Sequence, residues 1–147
     1  MILRRWEGIG GVSRCVMNIL VVEDDADLRV EIVEYLERRR HRATGCATIA
    51  AARDALDNQP AGKPFDAAIC DVGLPDGDGV RFFLESVVRT PACRWILMSG
   101  SHDLSRLNAM LRAQEAPPLV LEKPMPLRLL NDALAGTPGF KPLQEWE

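Results

Sequence analysis

Five short apolar segments alternate along the chain with segments of helical periodicity, and this alternation limits the fold to few choices. The predicted strands are residues 18–22, 42–46, 65–71, 95–98 and 119–121. The predicted helices that follow them are residues 27–40, 49–56, 79–88, 103–114 and 127–134. Because strands that alternate with helices form βαβ units, the sequence predicts an α/β fold with a five-stranded parallel sheet and helices on both faces.

The predicted helices carry their own start signals and buried faces. Asp27 is suited to the N-cap of the first helix and Thr48 to that of the second. Apolar residues recur at helical spacing, which predicts these inward-facing positions: Leu28, Ile32, Tyr35, Leu36, Val80, Phe83, Leu84, Val87, Leu104, Leu107, Met110 and Leu111. Phe82 and Trp95 are also expected in the core. The basic run at residues 38–42 is either a phosphate-binding surface or, more commonly, a solvated helix end.

The chain of 147 residues is long enough for one domain with a sizeable core. Residues 17–135 contain all the predicted strands and helices and are expected to form that domain. Residues 1–16 show neither strand nor helix periodicity and include Gly8, Gly10 and Gly11, so we expect a flexible arm without regular structure. Residues 136–147 are expected to form a short tail.

Composition and charge exclude several classes of function. A net charge of −3 gives no electrostatic reason to expect direct binding to DNA or another nucleic acid. The four cysteines are single and have no histidine cluster nearby, which argues against a zinc site and for a reducing compartment. No apolar run is long enough to span a membrane. We therefore expect a soluble cytoplasmic protein.

Polar residues follow the predicted strands at their carboxyl ends. They are Glu23, Asp24 and Asp25 after the first strand, Asp71 at the end of the third, Ser99 after the fourth and Lys123 after the fifth. Because the carboxyl ends of parallel strands lie along one edge of the sheet, where open α/β sheets bind ligands, we expect these side chains to lie together. Taken alone, Asp71 could simply open the glycine-rich turn that follows it, but the other polar residues favour a functional site.

This set of residue types is suited to phosphoryl transfer. Several carboxylates at one edge repel each other unless a hard cation lies between them, and oxygen ligands suit Mg²⁺. A Mg²⁺ ion, a lysine and a hydroxyl together offset the charge of a transferring phosphoryl group. Asp71 can then act as the nucleophile and form an acyl phosphate.

Four stretches of the sequence together resemble the receiver domain of response regulators in two-component signalling. They are Ile-Leu-Val-Val-Glu-Asp-Asp-Ala-Asp-Leu-Arg at 19–29, Cys-Asp-Val-Gly-Leu-Pro-Asp-Gly-Asp-Gly at 70–79, Ile-Leu-Met-Ser-Gly at 96–100 and Leu-Glu-Lys-Pro at 121–124. Each is weak alone, but their order and spacing are specific, and the resemblance covers residues 17–135. It implies a flavodoxin-like doubly wound sheet with strand order 2-1-3-4-5.

The resemblance also implies a chemical role for three of these residues. Asp71 is the expected phosphoacceptor. Ser99 is expected to bind the phosphoryl group and to change position on phosphorylation, and Lys123 to pair with the phosphoryl oxygens. The bond between Lys123 and Pro124 is expected to be cis, as it is in the family.

The metal ligands implied by the resemblance are Glu23, Asp24, Asp71 and the backbone carbonyl of Gly73. Asp24 is expected to bind Mg²⁺ directly and Glu23 through a water molecule. Asp25 is given no ligand role and is expected at most to cap the following helix. Gly73 and Ser101 flank the site and are expected to tune the lifetime of the phosphoryl group.

Two departures from the family pattern concern signalling rather than chemistry. Val120 stands where receivers usually have Tyr or Phe, an aromatic residue that follows the hydroxyl inward in the active form. Pro117 and Pro118 precede the fifth strand in place of the more common Gly-Ala turn, and they restrict the backbone. We therefore expect the face near the fourth helix and fifth strand to work differently.

The expected function is that of a stand-alone receiver, which takes a phosphoryl group from phosphohistidine on a sensor kinase or a histidine phosphotransfer protein and signals through contacts with a downstream protein. It would catalyse its own phosphorylation and dephosphorylation at Asp71 without turning over an external substrate. One alternative, favoured by Val120, is a degenerate receiver that binds proteins without phosphate. A second is a Mg²⁺-dependent phosphatase, which would need a second Asp where the chain has Gly73.

Overall fold

The computed structural model describes residues 5–7, 13–100, 104–115 and 117–135, with side chains described from residue 16 onward. Three predictions lie outside these residues: the tail at 136–147, the role of Ser101 and the helix start at residue 103.

The described residues contain a central sheet of five parallel strands. These are β1 Asn18–Val22, β2 Arg42–Cys46, β3 Ala67–Asp71, β4 Arg94–Ser99 and β5 Leu119–Glu122. Their order across the sheet is β2-β1-β3-β4-β5, and every neighbouring pair is parallel. The predicted fold class and strand order are therefore confirmed. We call the edge where the strands end the carboxyl edge and the opposite edge the amino edge.

Five α-helices in the described part of the chain cover the two faces of the sheet. They are α1 Ala26–Arg38, α2 Ile49–Asp57, α3 Gly79–Ser86, α4 Leu104–Leu111 and α5 Leu127–Ala135. Alternate strand residues serve opposite faces: Ile19 and Val21 pack with α1 and α5, whereas Leu20 and Val22 pack with α2, α3 and α4. Every residue of β3 is buried, so this strand lies at the centre of the core. None of the helices in the described ranges is long and apolar enough to cross a bilayer.

The helix caps confirm one prediction and correct another. Thr48 caps α2 as predicted, since its hydroxyl oxygen accepts a hydrogen bond from the Ala51 amide at 3.1 Å. Asp25, not Asp27, caps α1, because its Oδ1 accepts from the amides of Asp27 at 3.0 Å and Leu28 at 3.3 Å. The capping role expected for Asp25 is therefore confirmed, and the N-cap position given to Asp27 is wrong because the helix begins earlier, at Ala26.

The buried face of α4 differs from the prediction by one position. Leu107 and Leu111 are buried as expected, but Met110 is 40% exposed and Asn108 is only 6% exposed. The inward stripe therefore runs through residues 107, 108 and 111, and the apolar Met110 lies beside it. The aromatic residues Phe82 and Trp95 are buried as expected, with their rings in edge-to-face contact.

Two segments near the N-terminus form a short antiparallel pair, Arg5–Glu7 with Ser13–Cys15. The prediction that residues 1–16 lack regular structure is therefore wrong for these two segments. Pairing of three residues on each side depends on backbone hydrogen bonds, so hydrophobic periodicity could not reveal it.

The C-terminal end of α5 is attached to the amino edge of the sheet. Arg94, at the start of β4, donates from Nη1 to the carbonyls of Ala133 and Leu134. A cation at this position also suits the negative end of the helix dipole.

Candidate functional site

Three carboxylates lie together at the carboxyl edge. Glu23 and Asp24 directly follow β1, and Asp71 ends the neighbouring strand β3. One carboxylate oxygen from each residue lies within 4.8 Å of those of the other two. Glu23 is 0% exposed and Asp71 is 7% exposed, whereas Asp24 is exposed. The cluster is therefore buried on one side and open to solvent on the other.

Lys123 is the cation that faces this cluster. Its Nζ lies 2.7 Å from Glu23 Oε1 and 3.0 Å from Asp71 Oδ2. The position of the lysine is fixed by the backbone, since its amide donates to the Ser99 carbonyl at 2.8 Å. The bond between Lys123 and Pro124 is cis, as predicted. One ammonium thus faces three carboxylates, and the site has excess negative charge.

The pKa values of Glu23 and Lys123 reflect burial and their contact with each other. Burial raises the pKa of Glu23 to about 7, although the hydrogen bond from Lys123 lowers it, and the charge of Asp71 raises it further. Burial alone would lower the pKa of Lys123, but its hydrogen bonds to Glu23 and Asp71 outweigh this effect and raise it. The lysine is therefore held in its charged form, and the negative charge that remains favours a second cation.

The backbone around Asp71 is held on both sides. The Gly73 amide donates to Asp71 Oδ1 at 3.2 Å, and the Val72 amide donates to the Met98 carbonyl at 2.9 Å. The first residue of α3, Gly79, packs so closely that a Cβ there would lie 2.0 Å from the carbonyl oxygen of Asp71. Only glycine fits this position.

Ser99 ends β4, one residue after Met98, which pairs with Asp71. Ser99 is 1% exposed, and its hydroxyl donates to the Gly100 carbonyl at 3.0 Å and makes no described hydrogen bond to the acids. The described contacts therefore bring together Glu23, Asp24, Asp71 and Lys123, and the role of Ser99 stays a prediction.

Sequence reasoning missed one residue that supports the acids. Arg29, in the first turns of α1, donates from Nη1 to the Glu23 carbonyl at 2.8 Å. The carboxylate of Glu23 is in turn oriented by the Asp25 amide, which donates to Oε2 at 3.1 Å. The spacing of the residues could have revealed this contact. Arg29 lies one helical turn after the cap Asp25, so its side chain can reach back to the end of β1.

Comparisons with known proteins agree with this geometry. The family model described as response regulator receiver domain matches residues 19–135. No match was found among proteins with a curated functional description.

Solved structures of receiver domains are similar to the chain. A response regulator receiver domain protein from Clostridium thermocellum is 24% identical, with a TM-score of 0.70 and coverage of 82% of this chain and 93% of that chain. A CheY-like receiver domain protein from Methanospirillum hungatei JF-1 is 22% identical, with a TM-score of 0.67 and coverage of 82% and 92%. The non-phosphorylated HemR receiver domain from Leptospira biflexa is 25% identical, with a TM-score of 0.66 and coverage of 82% and 92%. Since the family model matches most of the chain and the strand order is that of these domains, the protein belongs to the receiver domain family of response regulators.

Proposed function

We propose that the protein accepts a phosphoryl group on Asp71 from a phosphohistidine of a sensor kinase or a histidine phosphotransfer protein. The observation that carries this proposal is the setting of Asp71, a nearly buried carboxylate at the end of β3 with the Lys123 ammonium 3.0 Å from its Oδ2. A carboxylate in this setting combines a nucleophilic oxygen with a fixed positive charge that offsets charge on phosphoryl oxygens.

In the proposed reaction, an oxygen of Asp71 forms a bond to phosphorus while the bond between phosphorus and the donor imidazole nitrogen breaks. The electron pair of the broken bond stays on the imidazole, which takes up a proton. Lys123 pairs with the phosphoryl oxygens, and the Ser99 hydroxyl turns from the Gly100 carbonyl to donate to one of them. Water later hydrolyses the acyl phosphate, which releases inorganic phosphate and restores the Asp71 carboxylate, so no external substrate is turned over.

The donor set at the carboxyl edge fits Mg²⁺. Glu23, Asp24 and Asp71 offer only oxygen, the ligand that this hard cation prefers. Asp24 is exposed, and a Cβ on Gly73 would have no atom within 4 Å, so a hydrated ion can reach the site. Asp24, Asp71 and the Gly73 carbonyl would bind the ion directly and Glu23 through water. The bound ion would neutralise charge on the transferring phosphoryl group.

Output in this proposal passes through contacts with a downstream protein in the cytoplasm. A phosphoryl group adds a charge of about −1.5 to −2, which biases a surface with two arrangements. Val120, which replaces the usual aromatic residue, is 0% exposed, and its short side chain leaves no ring to follow Ser99 inward. The signal must therefore leave the site by another route.

The same buried Val120 favours a second candidate function, a receiver that binds its partner without phosphate. Normal signalling in cells by an Asp71→Asn variant would support this candidate and exclude the first.

The intact mass of the protein after incubation with a small acyl phosphate tests the proposal. We expect the wild type to gain one phosphoryl group with Mg²⁺ and none with a chelator. Asp71→Asn should gain none, whereas Asp66→Asn, at the other end of β3, should gain one. Lack of a gain by the wild type with Mg²⁺, or an equal gain by Asp71→Asn, would overturn the proposal.

A further inference from the structure

The loop that follows Asp71 is a very small β-hairpin, and its tip is attached to α2. Gly73–Leu74 pairs with Gly77–Asp78 in antiparallel register. At the tip, the carboxylate of Asp76 accepts hydrogen bonds from two amides at the start of α2. Its Oδ1 lies 2.9 Å from the Ile49 nitrogen, and its Oδ2 lies 3.0 Å from the Ala50 nitrogen.

These two bonds are reinforced by charge and by packing. A carboxylate is favourable at a helix N-terminus, and the hydrogen bonds from Ile49 and Ala50 lower the pKa of Asp76. Gly77, at φ +154°, lies so close to α2 that a Cβ would be 2.9 Å from Ile49 Cδ1. Leu74 packs against the core cluster that contains Ile49. The hairpin is therefore seated on the start of α2.

The base of the same hairpin lies at the candidate metal site. The Gly73 amide donates to Asp71 Oδ1, and the Gly73 carbonyl is one of the proposed Mg²⁺ ligands. A ladder of two residues on each strand is not stable by itself in water. The position of the Gly73 carbonyl therefore depends on the bonds at both ends of the hairpin, those of Val72 and Gly73 at its base and those of Asp76 at its tip.

We infer that Asp76 is a positioning residue for the metal site, because its attachment to α2 fixes the hairpin that presents the Gly73 carbonyl to Mg²⁺. This inference rests on the proposed function. It assigns Asp76 no contact with the ion or with the phosphoryl group.

Thr48 offers a matched control for Asp76. Both side chains cap the same helix, but Thr48 bonds to the Ala51 amide and makes no described contact with the hairpin. Thr48→Ala therefore weakens the start of α2 and leaves the attachment of the hairpin in place. Asp76→Asn keeps one of the two acceptor oxygens, so its attachment of the hairpin should be weaker than in the wild type and stronger than in Asp76→Ala.

The test is the Mg²⁺ dissociation constant, measured by isothermal titration calorimetry. It is measured for the wild type and for the variants Asp76→Ala, Asp76→Asn and Thr48→Ala. Loss of groups that orient metal ligands weakens metal binding by about 10- to 100-fold, and we expect about tenfold for Asp76→Ala. Asp76→Asn should fall between this variant and the wild type, and Thr48→Ala should remain close to the wild type. With saturating Mg²⁺, Asp76→Ala should be phosphorylated at nearly the wild-type rate.

Hydrogen exchange of the Ile49 and Ala50 amides, followed without metal, gives a second readout. Both amides should exchange faster in Asp76→Ala than in the wild type. Wild-type affinity for Mg²⁺ in Asp76→Ala, or equal weakening in Asp76→Ala and Thr48→Ala, would overturn the inference. Failure of the wild type to bind Mg²⁺ is a different result, and it would overturn the proposed metal site itself.

Discussion

Two aspartates stand at opposite ends of the same strand and are held in opposite ways. Asp66 precedes β3 at the amino edge and is 6% exposed, whereas Asp71 ends β3 and is 7% exposed. The carboxylate of Asp66 accepts from the Asn18 amide at 2.8 Å. Its own amide donates to the Asn18 carbonyl at 2.7 Å, and its carbonyl accepts from the Arg94 amide at 2.9 Å. Asp66 is thus part of the framework that joins three strands.

The carboxylate of Asp71 is held instead by a loop amide and by a side chain. A loop amide, that of Gly73, is 3.2 Å away, and the flexible side chain of Lys123 supplies the other contact. Glu23 adds a negative charge nearby, which raises the free energy of a second carboxylate at this edge. Burial is therefore equal for the two aspartates, and only their partners distinguish a structural acid from a reactive one.

The largest expected effect follows from removing the cation beside Asp71. Lys123→Met should slow phosphorylation of Asp71 by a small acyl phosphate about 100-fold, as expected for the loss of one group that stabilises developing charge. A time course of intact mass measures the rate. Lys63→Met is the control, because Lys63 is exposed near the amino edge and its substitution should leave the rate unchanged. Equal rates for Lys123→Met and the wild type would contradict the role given to this ammonium.

Removal of the framework acid should affect stability instead. Asp66→Ala deprives the Asn18 amide of its acceptor, and we expect a loss of about 2 kcal/mol in the free energy of unfolding. Urea unfolding measures this loss. Asp54→Ala, at an exposed position of α2, should change stability by no more than about 0.5 kcal/mol. A loss no larger than that of the control would show that Asp66 is not part of the framework.

Substitution of Asp71, at the other end of β3, should instead increase the free energy of unfolding. Asp71→Asn removes one of two carboxylates that share Lys123, so in metal-free buffer we expect a gain of about 1 kcal/mol in the free energy of unfolding. Mg²⁺ should reduce this gain, since the ion would stabilise the wild type by binding to it. The same urea experiment, with and without Mg²⁺, gives the result. A loss of stability similar to that of Asp66→Ala would remove the contrast between the two aspartates.

The smallest expected effect is a pH dependence at the amino edge. Burial lowers the pKa of His41 and nearby Arg39 lowers it further, while Asp66 opposes them. Neutral His41 accepts a hydrogen bond at Nδ1 from the Met17 amide at 3.1 Å. The unfolded chain, where the pKa is near 6.5, binds the proton more readily, so the contribution of His41 to stability should fall as the pH drops below about 6.5. Glu23, whose pKa is raised to about 7, contributes with the opposite sign, so only a comparison with a variant isolates the contribution of His41.

His41→Asn tests this pH dependence, because the amide oxygen can still accept a hydrogen bond but does not titrate. Urea unfolding at pH 7.5 and pH 5.5 gives the change in stability of each protein, and this change should be more favourable for the variant than for the wild type. An equal change in both proteins would show that His41 does not contribute to the pH dependence.

The contrast between the two aspartates also marks what sequence could reveal. β1 and β2 both have the predicted bounds. For β1 the local signals are its β-branched residues and the acids that follow them. The approach of Glu23, Asp24 and Asp71 was predictable too, since parallel strands end at one edge. Local sequence does not reveal the role of Asp66, because its partner amides, those of Asn18 and Arg94, lie on two other strands.

The hairpin at residues 73–78 also combines a local feature that the sequence predicts with a long-range contact that it does not. Its glycines and proline predicted a turn, and a turn is present. Asp76 bonds to amides 26 and 27 residues earlier in the chain, and no short-range pattern carries that information. The hydroxyl of Ser99 could be located at the end of β4 from sequence, but its bond to the Gly100 carbonyl depends on a side-chain rotamer.

The attachment of α5 to the amino edge has a practical consequence for labelling. Arg94 ties the last turn of this helix to the start of β4, and Asp71 lies beside the far end of that strand. A strand of this length spans about 20 Å, so a fluorophore or reporter protein joined after residue 135 starts about that far from the phosphoacceptor. A label attached at this point should therefore leave the carboxyl edge accessible to a kinase.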